Sequence, residues 1–363
     1  MMEEKYLVDI CNPKQWKTIP KSELIEDGEY PVYGANGIIG RYNKYNHEEP
    51  TVLITCRGAT CGNIHITVPQ SYINGNAMSL DDLNESKCKK EYLYYFLKYY
   101  DLSKIISGTA QPQITINGLK KVKVKLYSIE KQEKIVDELN KINKVISLKK
   151  SQLEELSSFI KSQFVEMFGN IKIKEKVKNF STYFSRGKTP NYVEKSNIKV
   201  ISQACIYWDE FKYEKAKYQD ENKALKSLEK MIGNGDVLIT STGTGTLGRC
   251  NVYYGENHKY MADSHVSILR LKYKDVNPIF FKYYFMQEKV QKELYAECVN
   301  GSTNQIELSK DRFLNFRILI PEITLQNQFS EIVKQIDKQK FEIEKSLKET
   351  QELYESLMEK YFG

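Results

Sequence analysis

The sequence predicts an α/β (α+β) protein with two mixed α/β domains joined by two long antiparallel coiled-coil helices, a pseudo-two-fold dumbbell. Two observations support this prediction. Residues 126–169 recur at residues 320–363 with one constant offset, and both copies have the apolar spacing of a long helix. Each copy follows a globular segment in which short strand-like runs alternate with Gly, Asn and Pro turns. Because a duplicated unit generates two equivalent surfaces, we expect the molecule to act at two places.

The repeat predicts four segments along the chain. They are a first globular domain at residues 1–127, a first spacer helix at 128–170, a second globular domain at 171–321 and a second spacer helix at 322–363. The chain must return from the first helix to build the second domain. An antiparallel helix pair with one domain at each end is therefore the simplest closure.

The two domains show the same order of predicted elements. In the first, strands at residues 51–55 and 62–67 precede an aromatic helix at 91–100. In the second, a strand at 236–240, a glycine-rich turn and a strand at 249–254 precede a helix at 278–287.

The closest match between the domains joins residues 107–114 (SGTAQPQI) to residues 300–306 (NGSTNQI), and a short basic strand follows each. The opening portions of the domains diverge most. A shared frame with divergent sequences predicts two related but non-identical targets.

The two helical segments carry apolar residues at the alternating three-and-four spacing of a coiled-coil seam. In the first helix these are Ile135, Leu139, Ile142, Ile146, Leu153, Leu156, Ile160 and Met167, and in the second they are Ile332, Ile336, Ile343, Leu347, Tyr354, Leu357 and Tyr361. Three polar residues, Lys149, Gln339 and Thr350, interrupt the seams. Polar seam residues fix helix register more often than they bind ligands, so we predict that role.

Composition narrows the class of protein. With 363 residues, 41% hydrophobic and 28% charged, the chain is ordinary for a folded protein of two or three domains. A net charge of +7 is compatible with a polyanionic partner without establishing one. No apolar run approaches the roughly 18 residues that span a bilayer, and the start lacks a signal-peptide pattern, so we predict a cytoplasmic protein. The seven scattered cysteines predict reduced thiols rather than disulfides or a metal site.

Most signals for chemistry are weak. Residues 243–248 (GTGTLG) match the GxGxxG pattern of dinucleotide-binding loops, but the following residues are strand-like, so we predict a tight turn. The chain has no P-loop and no Pro-Pro pair of the kind found in base-flipping methyltransferase loops. Its four histidines are dispersed. We therefore predict a protein without catalytic residues or a metal site of its own.

Nucleic-acid binding fits the polar loops better, because Arg, Lys, Asn, Gln, Thr and Tyr supply phosphate contacts and base-edge hydrogen bonds. Each residue alone is more often a turn or solvated residue, and the support lies in recurrence at equivalent places in both domains. The predicted DNA-binding residues are Asn36, Arg41, Tyr42, Arg57, Thr60, Gln111, Gln113, Arg186, Lys188, Gln203, Thr242, Thr244, Asn304 and Gln305.

These features together resemble the specificity subunit of type I restriction-modification systems, over essentially the whole chain. The resemblance rests on an ordered set of motifs: YPVYG at residues 30–34 with Gly37, VLITCRG at 52–58, RGKTP at 186–190, GDVLIT at 235–240, and strand-to-helix junctions ending at Gln132 and Gln326. One departure is that Tyr127 and Ser128 stand where the family commonly has proline, whereas the second junction keeps Pro321. This departure concerns where the first long helix starts.

The resemblance implies two target-recognition domains, each reading one half of a split double-stranded DNA site, with the helices setting the spacer. It implies a non-catalytic subunit that docks two methyltransferase subunits and, in systems that cleave DNA, restriction subunits. S-adenosylmethionine, Mg²⁺ and ATP are then expected in the partner subunits and no cofactor in this chain. Two alternatives stay open: a specificity subunit of a methylation-only system, and a coiled-coil scaffold that bridges two protein partners.

Overall fold

A computed structural model describes residues 2–35, 37–108, 111–301 and 306–363. The chain packs as two compact units, one of Met1–Ser151 with Glu344–Gly363 and one of Gln152–Ile343. Each unit contains mixed helix and sheet and a part of both long helices. The α/β prediction is confirmed, and the four predicted segment boundaries stay a prediction. The α-helices are, in chain order, α1 (Lys90–Tyr99), α2 (Ile116–Leu119), α3 (Ile129–Phe168), α4 (Val177–Phe180), α5 (Glu221–Leu225), α6 (Pro278–Phe285), α7 (Glu288–Cys298), α8 (Lys310–Asn315) and α9 (Ile323–Phe362).

The first unit is built on two small sheets, an antiparallel one of order β2-β8-β5-β6 and a mixed one of order β4-β3-β7. Two further antiparallel pairs, β1-β11 and β9-β10, complete it. The strands are β1 (Glu3–Tyr6), β2 (Asn12–Gln15), β3 (Tyr30–Gly34), β4 (Gly37–Tyr42), β5 (Val52–Thr55), β6 (Ile64–Ile66), β7 (Tyr72–Ile73), β8 (Ala77–Asp81), β9 (Ile106–Ser107), β10 (Gln113–Ile114) and β11 (Lys123–Leu126).

The second unit repeats this plan with an antiparallel sheet of order β13-β19-β16-β17 and a mixed sheet of order β15-β14-β18. Its two-stranded pairs are β12-β22 and β20-β21. The strands are β12 (Lys174–Lys176), β13 (Ser181–Arg186), β14 (Lys199–Ile201), β15 (Lys217–Tyr218), β16 (Val237–Thr240), β17 (Cys250–Val252), β18 (Tyr260–Ala262), β19 (Val266–Leu271), β20 (Val299–Asn300), β21 (Glu307–Leu308) and β22 (Arg317–Leu319).

Local sequence explains the short helices that cover each sheet. In α6 the side chain of Asn277 caps the N-terminus by accepting from the N–H of Ile279 at 2.9 Å, and Pro278 occupies the first turn. In α1 the aromatic run buries one face, with Tyr92 and Leu93 fully buried against the strands. Removing this apolar surface from water is what holds each helix on its sheet.

The long helices α3 and α9 contain 40 residues each, which corresponds to a length of about 60 Å. Helix α3 begins at Ile129 and α9 at Ile323, the same offset that relates Leu126 to Ile320. Proline before the first helix is therefore not needed to fix its start.

Within the first unit the two helices run antiparallel, because residues later in α3 contact residues earlier in α9. Glu138 accepts a hydrogen bond from Tyr361 at 2.5 Å, while Lys149 donates to Thr350 at 3.0 Å. Lys149 also donates to the carbonyl of Ser346 at 3.0 Å. These bonds support the predicted register role for Lys149 and Thr350.

The seam differs from the predicted one in its aromatic content. In the second unit Phe164 and Phe168 of α3 pack on Phe329 of α9, with ring centroids 5.4 and 5.5 Å apart. Phe164 and Phe329 fit the three-and-four spacing, four residues after Ile160 and three before Ile332, yet the predicted seam did not include them. Gln339, predicted to interrupt the seam, is exposed instead, because the packed side of the helix continues from the buried Ile336 through the partly buried Lys340 and Ile343.

All seven cysteines are free thiols in the structure, and most of them are buried. Burial raises the pKa of Cys11 to about 12. Burial also raises the pKa of Cys56, and the nearby positive charge of Arg57 opposes only part of that rise. Among the residues the structure describes, no helix is long and apolar enough to cross a bilayer.

Candidate nucleic-acid interface

A turn after a buried strand lies at the centre of the candidate interface in the first domain. Strand β5 ends at Thr55, and the chain turns through Gly62, whose N–H donates to the Thr55 carbonyl at 2.8 Å. Gly62 has φ +97°, a conformation that favours glycine. The β9-β10 hairpin lies beside this turn: Ile114 donates to the carbonyl of Cys56 at 3.0 Å, and Arg57 pairs with Gln113 as an antiparallel bridge.

The second domain places a matching turn and hairpin at the end of β16. Gly248 has φ +85° and donates to the Thr240 carbonyl at 2.9 Å. Leu308 of the β20-β21 hairpin donates to the carbonyl of Ser241 at 2.8 Å, and Thr242 pairs with Glu307 as an antiparallel bridge. The glycine-rich residues 243–248 thus connect two antiparallel strands, which confirms the predicted turn.

These contacts correct the match between the two hairpins. The sequence comparison matched Gln113 of the first domain to Gln305 of the second. The backbone instead makes Glu307 the counterpart of Gln113, because Gln113 and Glu307 each bridge the residue two positions after a VLIT strand. The two hairpin strands are separated by one more residue in the second domain than in the first, so a match made on sequence alone assigns the wrong counterpart to Gln113. The offset that relates Leu126 to Ile320 also carries Gln113 onto Glu307, and this signal could have identified Glu307 as a site residue.

In the first domain the structure brings together three predicted residues. Arg57 and Gln113 line an open cavity of about 420 Å³ that Gln15 and Asn117 also line. Thr60 lies in the same turn and donates to the carbonyl of Ala35. The cavity therefore combines a guanidinium with carboxamides, the groups that recognise guanine and adenine edges.

Other predicted residues of the first domain lie elsewhere or have another role. Arg41 and Tyr42 are at the far end of the β3-β4 hairpin from its tip. Arg41 donates to the backbone carbonyls of Gly28 and Glu29, the latter at 2.6 Å, so it braces that end of the hairpin. Gln111 is exposed in the loop between β9 and β10. Asn36 lies outside the described residues.

In the second domain Arg186, Thr242 and Glu307 meet beside the turn. Arg186 donates to the carboxylate of Glu307 at 3.1 Å and to the carbonyl of Leu308 at 3.1 Å. Thr242 forms a hydrogen bond with Nδ1 of His265 at 2.7 Å. His265 was not predicted from sequence, because its position two residues after Asp263 gives no motif.

Two more predicted residues lie at the turn, and a third lies elsewhere. Gln203 accepts from the Thr246 hydroxyl of the turn at 3.4 Å, and Thr244 is exposed at the turn itself. Lys188 instead donates to the Ser227 hydroxyl at 3.0 Å, on a separate loop. Asn304 and Gln305 lie outside the described residues.

A buried carboxylate stabilises the loop that carries His265. Asp263 accepts from the His265 N–H at 2.8 Å. Burial raises the pKa of Asp263, and the hydrogen bonds from the backbone of His265 and Val266 oppose part of that rise. Within the described ranges, no group of three His, Cys, Asp or Glu side chains is placed to hold a metal ion.

A family model described as the type I restriction modification DNA specificity domain matches residues 1–158 and 171–353. The chain is 28% identical over 168 residues to a putative type I specificity subunit of Mycoplasma pneumoniae, covering 42% of this chain and 55% of that protein. This match therefore spans about half the length of the mycoplasma relative. A putative type I restriction enzyme specificity subunit of Haemophilus influenzae is 24% identical over 338 residues, covering 86% of this chain and 81% of the relative.

Among solved structures, the fold is similar to that of a type I restriction-modification S subunit from M. genitalium. The TM-score is 0.66 at 15% sequence identity, and the match covers 100% of this chain and 96% of that one. At this identity the likeness concerns the fold alone.

Proposed function

This chain belongs to the type I restriction modification DNA specificity family, and on that premise we propose that it selects the DNA sequence on which such a system acts. Each domain reads one half of a bipartite double-stranded site. The observation that supports this most is the repeated interface, in which a hairpin bridges the residue two positions after a VLIT strand in both domains. The side chains presented there differ, Arg57 and Gln113 against Thr242 and Glu307, which suits two different half-sites.

The predicted DNA-binding residues remain part of this proposal, with a division of roles. The residues that lie around the two turns are assigned to the surface that faces DNA: Arg57, Thr60, Gln113, Arg186, Gln203 and Thr242. The structure gives Arg41 and Lys188 backbone or side-chain partners away from the turns, which weakens their assignment.

We further propose that α3 and α9 set the spacer between the two half-sites. Their equal length and the hydrogen bonds from Lys149 across the seam support a fixed register. Two methyltransferase subunits, and restriction subunits in systems that cleave DNA, would bind the long helices α3 and α9. Methyl transfer and ATP-driven steps would then reside in those partners, and the complex would work in the cytoplasm.

Fluorescence anisotropy with a labelled duplex over a series of salt concentrations tests DNA binding directly. A protein that neutralises Z phosphates loses affinity with a slope of about −0.9Z in a plot of log K against log salt. We expect a clearly negative slope for the full chain with its copurifying partners. Absence of salt-sensitive binding would favour the alternative, a coiled-coil scaffold that bridges two proteins.

A further inference from the structure

Glu307 is an unusual residue for a surface that meets DNA, because a carboxylate repels phosphates. It lies on the second strand of the β20-β21 hairpin, directly across a backbone bridge from Thr242. Its side chain is 52% exposed, so the carboxylate is accessible to a ligand although it pairs with Arg186. In a base-reading site, however, a carboxylate has a specific use, since it accepts a hydrogen bond from the N4 amino group of cytosine.

The contacts of Glu307 hold its carboxylate in one place. Nη1 of Arg186 donates to Oε2 of Glu307 at 3.1 Å, while Nη2 donates to the adjacent carbonyl of Leu308 at 3.1 Å. Among the described residues, Oε1 of Glu307 has no hydrogen-bond partner. One oxygen is thus anchored and the other is available to a donor.

The first domain places Gln113 at the corresponding position. Gln113 pairs with Ser107 in its hairpin and bridges Arg57, as Glu307 pairs with Asn300 and bridges Thr242. A glutamine carboxamide offers one donor and one acceptor, which match N7 and N6 of adenine in the major groove. The two domains therefore present at one structural position the side chains that suit two different bases.

We infer that Glu307 determines specificity by accepting a hydrogen bond from a cytosine in the half-site of the second domain, with Gln113 reading adenine at the corresponding position of the first. Arg186 is the positioning residue that orients the carboxylate and screens its charge from the phosphates. This inference rests on the proposed function and adds to it the identity of a base pair in each half-site.

The test uses Glu307→Gln in the full chain with its copurifying partners. The variant keeps the shape of the side chain and can still accept from Arg186 through its amide oxygen. Each protein is incubated with a pool of random DNA duplexes, and the retained DNA is sequenced. For the wild type we expect a fixed C·G pair at one position of one half-site. In Glu307→Gln that position changes to A·T, with a preference change of about 5- to 150-fold, while the other half-site is unchanged.

Two further variants act as controls. Gln113→Glu should make the reciprocal change, A·T to C·G, in the other half-site. Glu288→Gln removes an exposed carboxylate paired with Lys292 on α7 of the second domain and should leave both half-sites unchanged.

The outcomes separate this inference from the proposed function. A wild-type split motif that stays unchanged in Glu307→Gln overturns the role of Glu307 and leaves the function standing. Uniformly weaker binding without a changed base means that Glu307 only positions Arg186, which also overturns it. A wild-type protein that retains DNA without any motif contradicts the proposed function itself.

Discussion

At the scale of single residues, two buried glutamines fix the long helices to their domains. Gln132 and Gln326 are both fully buried in the first turns of α3 and α9. Gln132 accepts from the N–H of Lys89 and donates to the carbonyls of Lys87 and Tyr127 at 2.8 to 2.9 Å. Gln326 repeats this pattern with the N–H of Asn277 and the carbonyls of Asp275 and Pro321. Each glutamine joins its helix to the loop before α1 or α6.

Replacing Gln326 by Ala should lower the free energy of unfolding by about 1 to 3 kcal/mol, because three buried or partly buried backbone groups lose their partner. Denaturant unfolding followed by circular dichroism measures the change. Gln339→Ala is the matched control, since Gln339 is exposed on the same helix and should change stability by less than about 0.5 kcal/mol. Equal effects of the two substitutions would refute the anchoring role.

A second residue pair gives a pH dependence. His47 Nε2 lies 2.9 Å from Asp81 Oδ1, and both side chains are largely buried. Burial alone would raise the pKa of Asp81, but hydrogen bonds from His47 and Ser79 and nearby positive charge lower it overall. A lowered folded-state pKa stabilises the fold above the unfolded pKa of about 4, and this contribution is lost as the pH falls through the folded value.

Asp81→Asn should therefore be less stable than the wild type at pH 7, and the difference should shrink as the pH falls below about 4. Unfolding curves of both proteins at several pH values measure this difference. A gap that stays constant or widens in acid would contradict the assignment.

At the scale of elements, the sequence predicted the long helices well because their repeat is long and periodic. Ile135, Leu139 and Ile160 are buried as the spacing indicated. It predicted the hairpins less well: two-residue strands such as β10 and β21 are defined by backbone bridges to distant residues, which no local pattern encodes. For that reason Glu307 escaped prediction, whereas Arg57 and Gln113 were recognised only as polar loop residues.

The helices also carry the prediction about the spacer. Inserting one heptad into both α3 and α9 lengthens each by about 10 Å, which corresponds to about three base pairs of duplex. We expect the gap between the half-sites to grow by about that amount, as read from sequenced DNA that the variant retains. Insertion into α3 alone should abolish recognition, because the seam loses its register. An unchanged gap in the double insertion would refute the spacer role.

At the scale of the whole molecule, duplication was the feature most visible in the sequence. It predicted two similar domains, and the structure contains two units with the same sheet orders and matching strand-end turns. The bases that we propose each domain to read were not predictable, because they depend on which side chains the hairpins place beside each turn. The central claim is that two different interfaces of one chain read two halves of one DNA site.

Sequencing the DNA that the wild-type protein, with its copurifying partners, retains from a pool of random duplexes tests this claim most directly. Our account predicts two short, different motifs separated by a gap of fixed length. A single continuous motif, or two motifs at variable separation, would contradict it.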